Sequence, residues 1–244
     1  MRLTVQWQDR SREPHAGQFY MLRAWAADAT PILSRPISVD DFDNQTGALT
    51  FLYQVKGEGT HKLAALKKDD TLTVTGPCGN GFDTAALAGQ YKRIAVVGGG
   101  IGVPPVLCLA RELAEAGLAV DACVGSATAA KLVGVEDFEA LGAGEVCVAT
   151  DDGTAGLHGF CTESAAELLS SHEYDYVATC GPGVMMSKVA ASAAEAGVYC
   201  EASLERMMSC GFGACSTCNV ETTDGMQGAC MCGPVFDATK VVVW

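Results

Sequence analysis

Positive charge is scarce in this 244-residue chain: 16 lysines and arginines stand against 29 aspartates and glutamates, for a formal charge of −13 and a pI near 4.6. Binding to a phosphate backbone draws its affinity from clustered basic side chains that release counterions, so the balance argues against nucleic acid as a partner. The acidity reads as a solubilising surface. Long apolar runs are also missing. Gly, Pro or a charge interrupts each one before the ~20 residues that a bilayer-spanning helix needs. The opening stretch MRLTVQWQDRSREP has neither the basic start nor the apolar core of a signal peptide. The expectation is a cytoplasmic protein without membrane contact. Histidine is thinly spread, with His15, His61, His158 and His172 isolated and in no metal-ligand spacing. Neither G-x-S-x-G nor a Walker A sequence occurs, which leaves hydrolase and NTPase readings without support.

Cysteine, by contrast, is plentiful, with twelve residues. In a reducing compartment, clustered cysteines bind metal or do redox chemistry more often than they form disulfides. Seven of them, Cys78, Cys108, Cys123, Cys147, Cys161, Cys180 and Cys200, are scattered among apolar neighbours, as small buried hydrophobes are. The other five crowd between Cys210 and Cys232. CGFGACSTC gives Cys210, Cys215 and Cys218 the spacing C-x4-C-x2-C, and Cys230 follows after eleven residues. This is the plant-type [2Fe–2S] spacing. Gly211, Gly213 and Ala214 let a loop wrap closely enough for backbone N–H groups to point at sulfur. A structural zinc knot is the alternative, but it usually shows two C-x2-4-C pairs or paired histidines, and no histidine follows His172. Spacing alone leaves Cys230 and Cys232 both open as the fourth ligand.

Hydrophobic residues at 49% and charged residues at 18% fit a chain with a full core. Between Gln18 and Pro77, short β-type runs (QFYMLRA, RPISV, ALTFLYQV, TLTVTGP) are separated by turn residues and interrupted by one helix near His61–Leu66. From Tyr91, apolar strands alternate with helical stretches through LCLARELAEAG, TESAAELL and SKVAASAAEAG. The fold expected is β plus α/β: a small antiparallel barrel, then a doubly wound parallel nucleotide-binding domain, then a cysteine-cluster segment. The expected limits are 1–88, 89–202 and 203–244, with the first joint near Ala86–Gln90.

Two glycine turns lie at the ends of apolar strands. VVGGGIGVPP has the strand, turn and helix order of a nucleotide phosphate site, with Gly98, Gly100 and Gly102 as its glycines, yet G-x-G-x-x-G would need a glycine at Val103. CGPGVMM places Gly181 and Pro182 at the same sheet edge, where doubly wound folds bind ligands. Cys180 is a candidate for lining a nicotinamide pocket or for a buried structural thiol. RPIS offers the Arg35 guanidinium to a pyrophosphate and the Ser38 hydroxyl to a ring heteroatom, and GEGT opens a helix with free N–H groups. GSATAAK has no arginine for a 2′-phosphate, only Lys131, which favours NAD(H) over NADP(H).

RPIS, LYQ, GEGT, GPCGNGF, VGGGIGVPP, TDDG, CGPGVMM and SLERMMSCGFGACSTC occur in one order along nearly the whole chain. In this the chain resembles the electron-transfer subunits of NAD-dependent dihydroorotate dehydrogenases, within the ferredoxin reductase-like superfamily. The resemblance implies FAD where barrel, nucleotide domain and cluster segment meet. Arg35, Pro36, Ile37 and Ser38 match the family's first FAD motif, Leu52, Tyr53 and Gln54 its second, and Gly59 and Thr60 its pyrophosphate turn. Cys210, Cys215, Cys218 and Cys230 match its cluster ligands, Cys230 because the family's fourth cysteine stands three residues before a GPVF segment, here Gly233–Phe236. The implied partner is an FMN-containing dihydroorotate dehydrogenase catalytic subunit in a heterotetramer of two of each, for pyrimidine biosynthesis. Electrons would pass from FMN through [2Fe–2S] and FAD to NAD⁺. The chain departs from the family pattern in a shorter leading segment before AGQF, a shorter Cys218–Cys230 stretch, and Cys78 where a larger apolar residue is usual. The rival readings are a small subunit of a ferredoxin:NADP reductase-type or sulfide dehydrogenase complex and, from another class, a zinc-bound scaffold subunit.

Overall fold

The computed structural model describes residues 1–8, 11–142 and 144–244. Strands β1 (Arg2–Gln6), β2 (Phe19–Arg23), β3 (Arg35–Asp43) and β4 (Ala48–Leu52) precede helix α1 (Glu58–Ala64), and β5 (Thr73–Cys78) follows it. The five strands form one antiparallel sheet in the order β1-β4-β3-β2-β5. Alternation sets its inner face: Leu49 and Phe51 of β4 are buried between half-buried neighbours, and Phe51 meets Tyr20 edge-on at 5.8 Å. Register shifts in β3/β4 between Val39 and Asp41, and in β2/β5 between Phe19 and Met21, curl the sheet around this core. β1 is a strand that the turn-and-run reading did not pick out; it pairs with β4 from Arg2↔Leu52 to Gln6↔Ala48.

The expected joint near Ala86–Gln90 is helical: α2 (Thr84–Gln90) starts at Asp83, whose Oδ1 accepts from Ala86 N at 3.0 Å. Strand β6 (Ile94–Gly99) then leads to α3 (Val103–Glu115), β7 (Val120–Ser126), α4 (Val135–Ala140), β8 (Val146–Thr150), the two-residue β9 (Leu157–His158), α5 (Cys161–Ser171), β10 (Tyr176–Cys180), α6 (Gly183–Glu195) and β11 (Tyr199–Ser203). These strands pair in parallel in the order β11-β10-β6-β7-β8-β9. β6 and β10 are buried at every position, as central parallel strands covered on both faces are. The chain order reverses at β6, so a crevice opens at the C-terminal ends of β6 and its neighbours.

The cysteine-rich segment adds a hairpin of β12 (Asn219–Thr222) and β13 (Gly225–Gly228), then β14 (Val235–Asp237). β14 runs antiparallel to β11, with Ser203↔Val235, and so extends the nucleotide sheet beyond residue 202. The same segment holds the barrel: Gly233 O accepts from Asn80 N at 2.7 Å, and Cys232 O from Asn80 Nδ2 at 3.3 Å. On the other side, α3 packs against β3. There Glu112 accepts from Ala16 N at 2.7 Å and from the Thr84 hydroxyl. Arg2 reaches Asp40 at 3.4 Å and Asp137 at 3.0 Å, and Arg111 reaches Asp137 at 3.0 Å.

Candidate cofactor sites

The turn after β6 is a short 3₁₀ segment, Gly100–Gly102, leading directly into α3. Gly102 carries a steric demand, since a Cβ there would stand 2.6 Å from Cys180 O and from Gly181 Cα. The two glycine turns singled out by sequence therefore touch, backbone against backbone. Pro104 and Pro105 lie in the first turn of α3, so two of its four free N–H positions are absent and the anion-binding capacity of this end is reduced.

A cavity of about 600 Å³ opens beside these turns at the crevice. That volume suits a cofactor-sized ligand. Gly100 and Pro182 line it, together with Gly99, which sequence reasoning passed over because it lies between two glycines counted in the motif. Gly98, Gly102 and Gly181 are not in its wall; they let the turns pack. Among the described residues, three charged side chains line it: Lys131 after β7, Asp151 after β8 and Lys188 on α6. Lys188, whose ammonium lies 5.6 Å from the Phe160 ring centroid, had no signal, since an Ala-rich helix displays no motif. Leu52, Tyr53 and Gln54 close the cavity from the barrel side. The Tyr53 hydroxyl is buried and without a hydrogen-bond partner among the described residues, and burial raises its pKa. An orphaned donor in a cavity wall suits a polar ligand atom.

The RPIS residues divide by strand alternation. Pro36 and Ser38 line a second cavity of about 440 Å³ with Phe19, Cys180, Ser203 and Arg206. Cys180 is held there as a thiol, pushed up to about 12 by burial first and then by Glu205. Arg35 and Ile37 take the other face. The Arg35 side chain lies against Gly59, where a Cβ would run into its Nε and stand 3.1 Å from Trp25. Arg35 and the opening turn of α1 are thus adjacent, as a shared anion would require. Thr60 behaves differently: its Oγ1 accepts from Lys56 N at 2.9 Å and Gly57 N at 3.0 Å and donates to Gly57 O at 2.9 Å, so the hydroxyl braces the turn. A guanidinium beside a helix start, a buried tyrosine hydroxyl and an apolar barrel wall are the donor chemistry that a flavin dinucleotide needs.

In the cysteine loop, Gly211 and Gly213 adopt φ of +80° and +85°, a region that side-chain-bearing residues enter at a cost. A Cβ on Gly211 would meet Met21 at 2.6 Å, and one on Gly213 would meet Met231 at 2.7 Å. Gly213 N–H donates to Cys230 Sγ at 3.2 Å. Cys215 is exposed, and hydrogen bonds from the Thr217 side chain and backbone, then from Cys210, lower it to about 6. Cys230 is buried and raised to about 11 by burial and by its hydrogen bond with Cys218. The expected ligands thus meet as two pairs, Cys210 with Cys215 and Cys218 with Cys230. Among the described residues, no three His, Cys, Asp or Glu side chains are already gathered around one metal position. Four thiols in two pairs, with a backbone N–H aimed at sulfur, are the donor chemistry of an iron–sulfur centre. Cys232 is exposed and outside both pairs.

Comparison with known proteins yields three findings. The sequence model of the iron-sulfur cluster binding domain of dihydroorotate dehydrogenase B matches residues 205–242. The electron transfer subunit of dihydroorotate dehydrogenase B (NAD(+)) from Clostridium acetobutylicum is 40% identical over 95% of this chain and 87% of its own length, and that from Caldanaerobacter subterraneus subsp. tengcongensis is 39% identical over 98% and 91%. The solved structure of an NADH-dependent reduced ferredoxin-NADP oxidoreductase superposes with a TM-score of 0.85 at 29% identity, covering 98% of this chain and 84% of that one. A ferredoxin NADP⁺ reductase from Neisseria gonorrhoeae shares the fold at a TM-score of 0.60 and 17% identity, over 81% and 85%.

Proposed function

The chain belongs to the electron transfer subunits of NAD-dependent dihydroorotate dehydrogenase B, and from that premise we propose how its residues serve the transfer. Cys210, Cys215, Cys218 and Cys230 would hold the [2Fe–2S] cluster. Arg35, Pro36, Ile37, Ser38, Leu52, Tyr53, Gln54, Gly59 and Thr60 would hold FAD, and Gly98, Gly100, Gly102, Gly181 and Pro182 would shape the nucleotide end. When bound, the cluster supplies one-electron chemistry and the flavin both one- and two-electron chemistry, which suits a relay between a partner and a nicotinamide.

The observation that carries the proposal is a shared wall. Gly211 packs on Met21 and Cys78 of the barrel, Cys78 is the register partner of Phe19, and Phe19 lines the second cavity with Ser38. The cysteine loop and the proposed flavin cavity are therefore separated by little more than one strand pair. The chain's own residues do three things: the loop N–H groups favour charge on sulfur, Arg35 and α1 receive a pyrophosphate, and the barrel core keeps water from the face between them. Asp151 supports NAD(H), because a carboxylate in that wall accepts from ribose hydroxyls and repels a 2′-phosphate. The partner is a dihydroorotate dehydrogenase catalytic subunit; that it carries FMN, and that two of each subunit assemble, belong to the proposal.

Reconstitution tests it. With the FMN-containing catalytic subunit, dihydroorotate reduces NAD⁺ only when both subunits are present, and the complex has the mass of two of each. A stable complex that oxidises dihydroorotate yet leaves NAD⁺ unreduced would remove this chain from the relay.

A further inference from the structure

Cys123 and Cys147 belong neither to the cysteine loop nor to the two cavities. They are register partners on the adjacent parallel strands β7 and β8, so their side chains leave one face of the sheet side by side. Helix α5 covers that face. Its first residue, Cys161, fills the space where a side chain on Gly125, two residues beyond Cys123, would stand. Cys123 is fully buried and Cys147 half-buried. Their thiols hydrogen-bond to each other, and the bond from Cys123 holds Cys147 below the ordinary thiol value. Cys147 Sγ also donates to Glu145 Oε1 at 3.5 Å, and the other oxygen of Glu145 lies 3.8 Å from His172 Nε2. The accessible sulfur therefore has a second thiol in contact with it whose hydrogen bond favours the thiolate, outweighing burial and the nearby carboxylates of Glu145 and Asp121, which oppose it. Cys161 lacks such a partner set and is pushed up to about 11 by burial, which keeps it a thiol.

We propose that Cys123 and Cys147 form a thiol–disulfide exchange site, reached by low-molecular-weight disulfides through the half-buried Cys147 sulfur. In the first step, the Cys147 thiolate attacks one sulfur of the disulfide; a protein–small-molecule S–S bond forms, the original S–S bond breaks, and one small thiolate leaves. In the second step, Cys123 attacks Cys147 Sγ, its proton passes to the departing second thiolate, and a Cys123–Cys147 bond remains. The protein pair is oxidised by two electrons, and the small disulfide is reduced to two thiols. The backbone permits the product, since neighbouring strands lie ~4.8 Å apart, within the ~4.4–6.8 Å Cα separation that a disulfide bridges. Cys147 is the entry sulfur because it is the accessible one of the pair, and Cys123 resolves because it has no route to solvent of its own.

The test treats the holoprotein with oxidised glutathione, blocks the remaining thiols, and maps the cysteines by mass spectrometry after proteolysis. The expected product is a peptide pair cross-linked through Cys123 and Cys147 that dithiothreitol reverses. Cys123→Ala stops at a glutathione adduct on Cys147, and Cys147→Ser leaves Cys123 free. Should Cys123→Ala not fold, the parent and Cys147→Ser decide alone. Recovery of Cys147 as a free thiol in the parent overturns the proposal, and so does a lasting glutathione adduct on Cys147 with no cross-link.

Discussion

Replacing Cys215 with serine abolishes assembly of the iron–sulfur cluster and leaves FAD bound. A serine hydroxyl keeps the size of the side chain but does not ionise near neutral pH, whereas the Cys215 thiol is held at about 6 by Thr217 and Cys210. The metal ligand is the thiolate, so this substitution removes the donor best prepared to bind. Because Cys215 is exposed, the change leaves the packed core untouched, and flavin content and far-UV circular dichroism should match the parent. Iron analysis and the visible spectrum check it: iron falls from about two per chain to near zero. Parental iron content in the variant would refute the ligand set.

The second large effect is on stability. Asp40 has a relative exposure of 1% on β3, neither of its carboxylate oxygens accepts a hydrogen bond among the described residues, and Arg2 stands off at 3.4 Å. Desolvation outweighs the attraction of Arg2 and Arg111, and it lifts the group from the ordinary 3.8 to about 6, with Asp137 and Asp41 adding to the rise. A carboxyl raised on folding binds more protons in the folded chain than in the unfolded one, so its contribution to stability is intact below about pH 4 and is lost as pH climbs through 6. The full displacement corresponds to about 3 kcal/mol. Asp40→Asn carries no proton to lose. Denaturant unfolding at pH 4.5, 6 and 7.5 should show the parent losing about 2 kcal/mol relative to Asp40→Asn across that window, the first third of the displacement lying below pH 4.5. Parallel pH profiles would show that Asp40 is not desolvated.

The sequence was most informative where periodicity or turn chemistry is local. The runs at QFYMLRA, RPISV and ALTFLYQV became β2, β3 and β4, and the alternation after Tyr91 became the parallel sheet. The turn residues GEGT open a helix, and α1 starts within them at Glu58, three residues before the apolar run from His61, because Thr60 Oγ1 accepts from Lys56 N and Gly57 N and closes the first turn. The start of α3 is legible from its prolines: Pro104 and Pro105 suit a first turn, and the helix begins at Val103. β1 and β14 were not legible, since a short strand at a sheet edge is defined by its partner: β14 owes its conformation to β11, reached by a loop through the cysteines. The same holds for the sites. Four cysteines at fixed spacing announce a redox centre, whereas Lys188 and the division of RPIS between two faces depend on which helix and which strand face the cavity. Gly102 reads in the sequence as part of a phosphate turn, and in the fold Cys180 and Gly181 come against it; sequence places a glycine without saying what comes close to it.

One chain that binds both FAD and a [2Fe–2S] cluster should exchange electrons with NAD(H). The most direct measurement is the visible spectrum of anaerobically purified protein, with flavin and iron quantified, before and after NADH is added. One flavin and about two irons per chain are expected, with both sets of bands bleached by NADH. A colourless, zinc-containing protein, or flavin bands that NADH leaves unchanged, would contradict it.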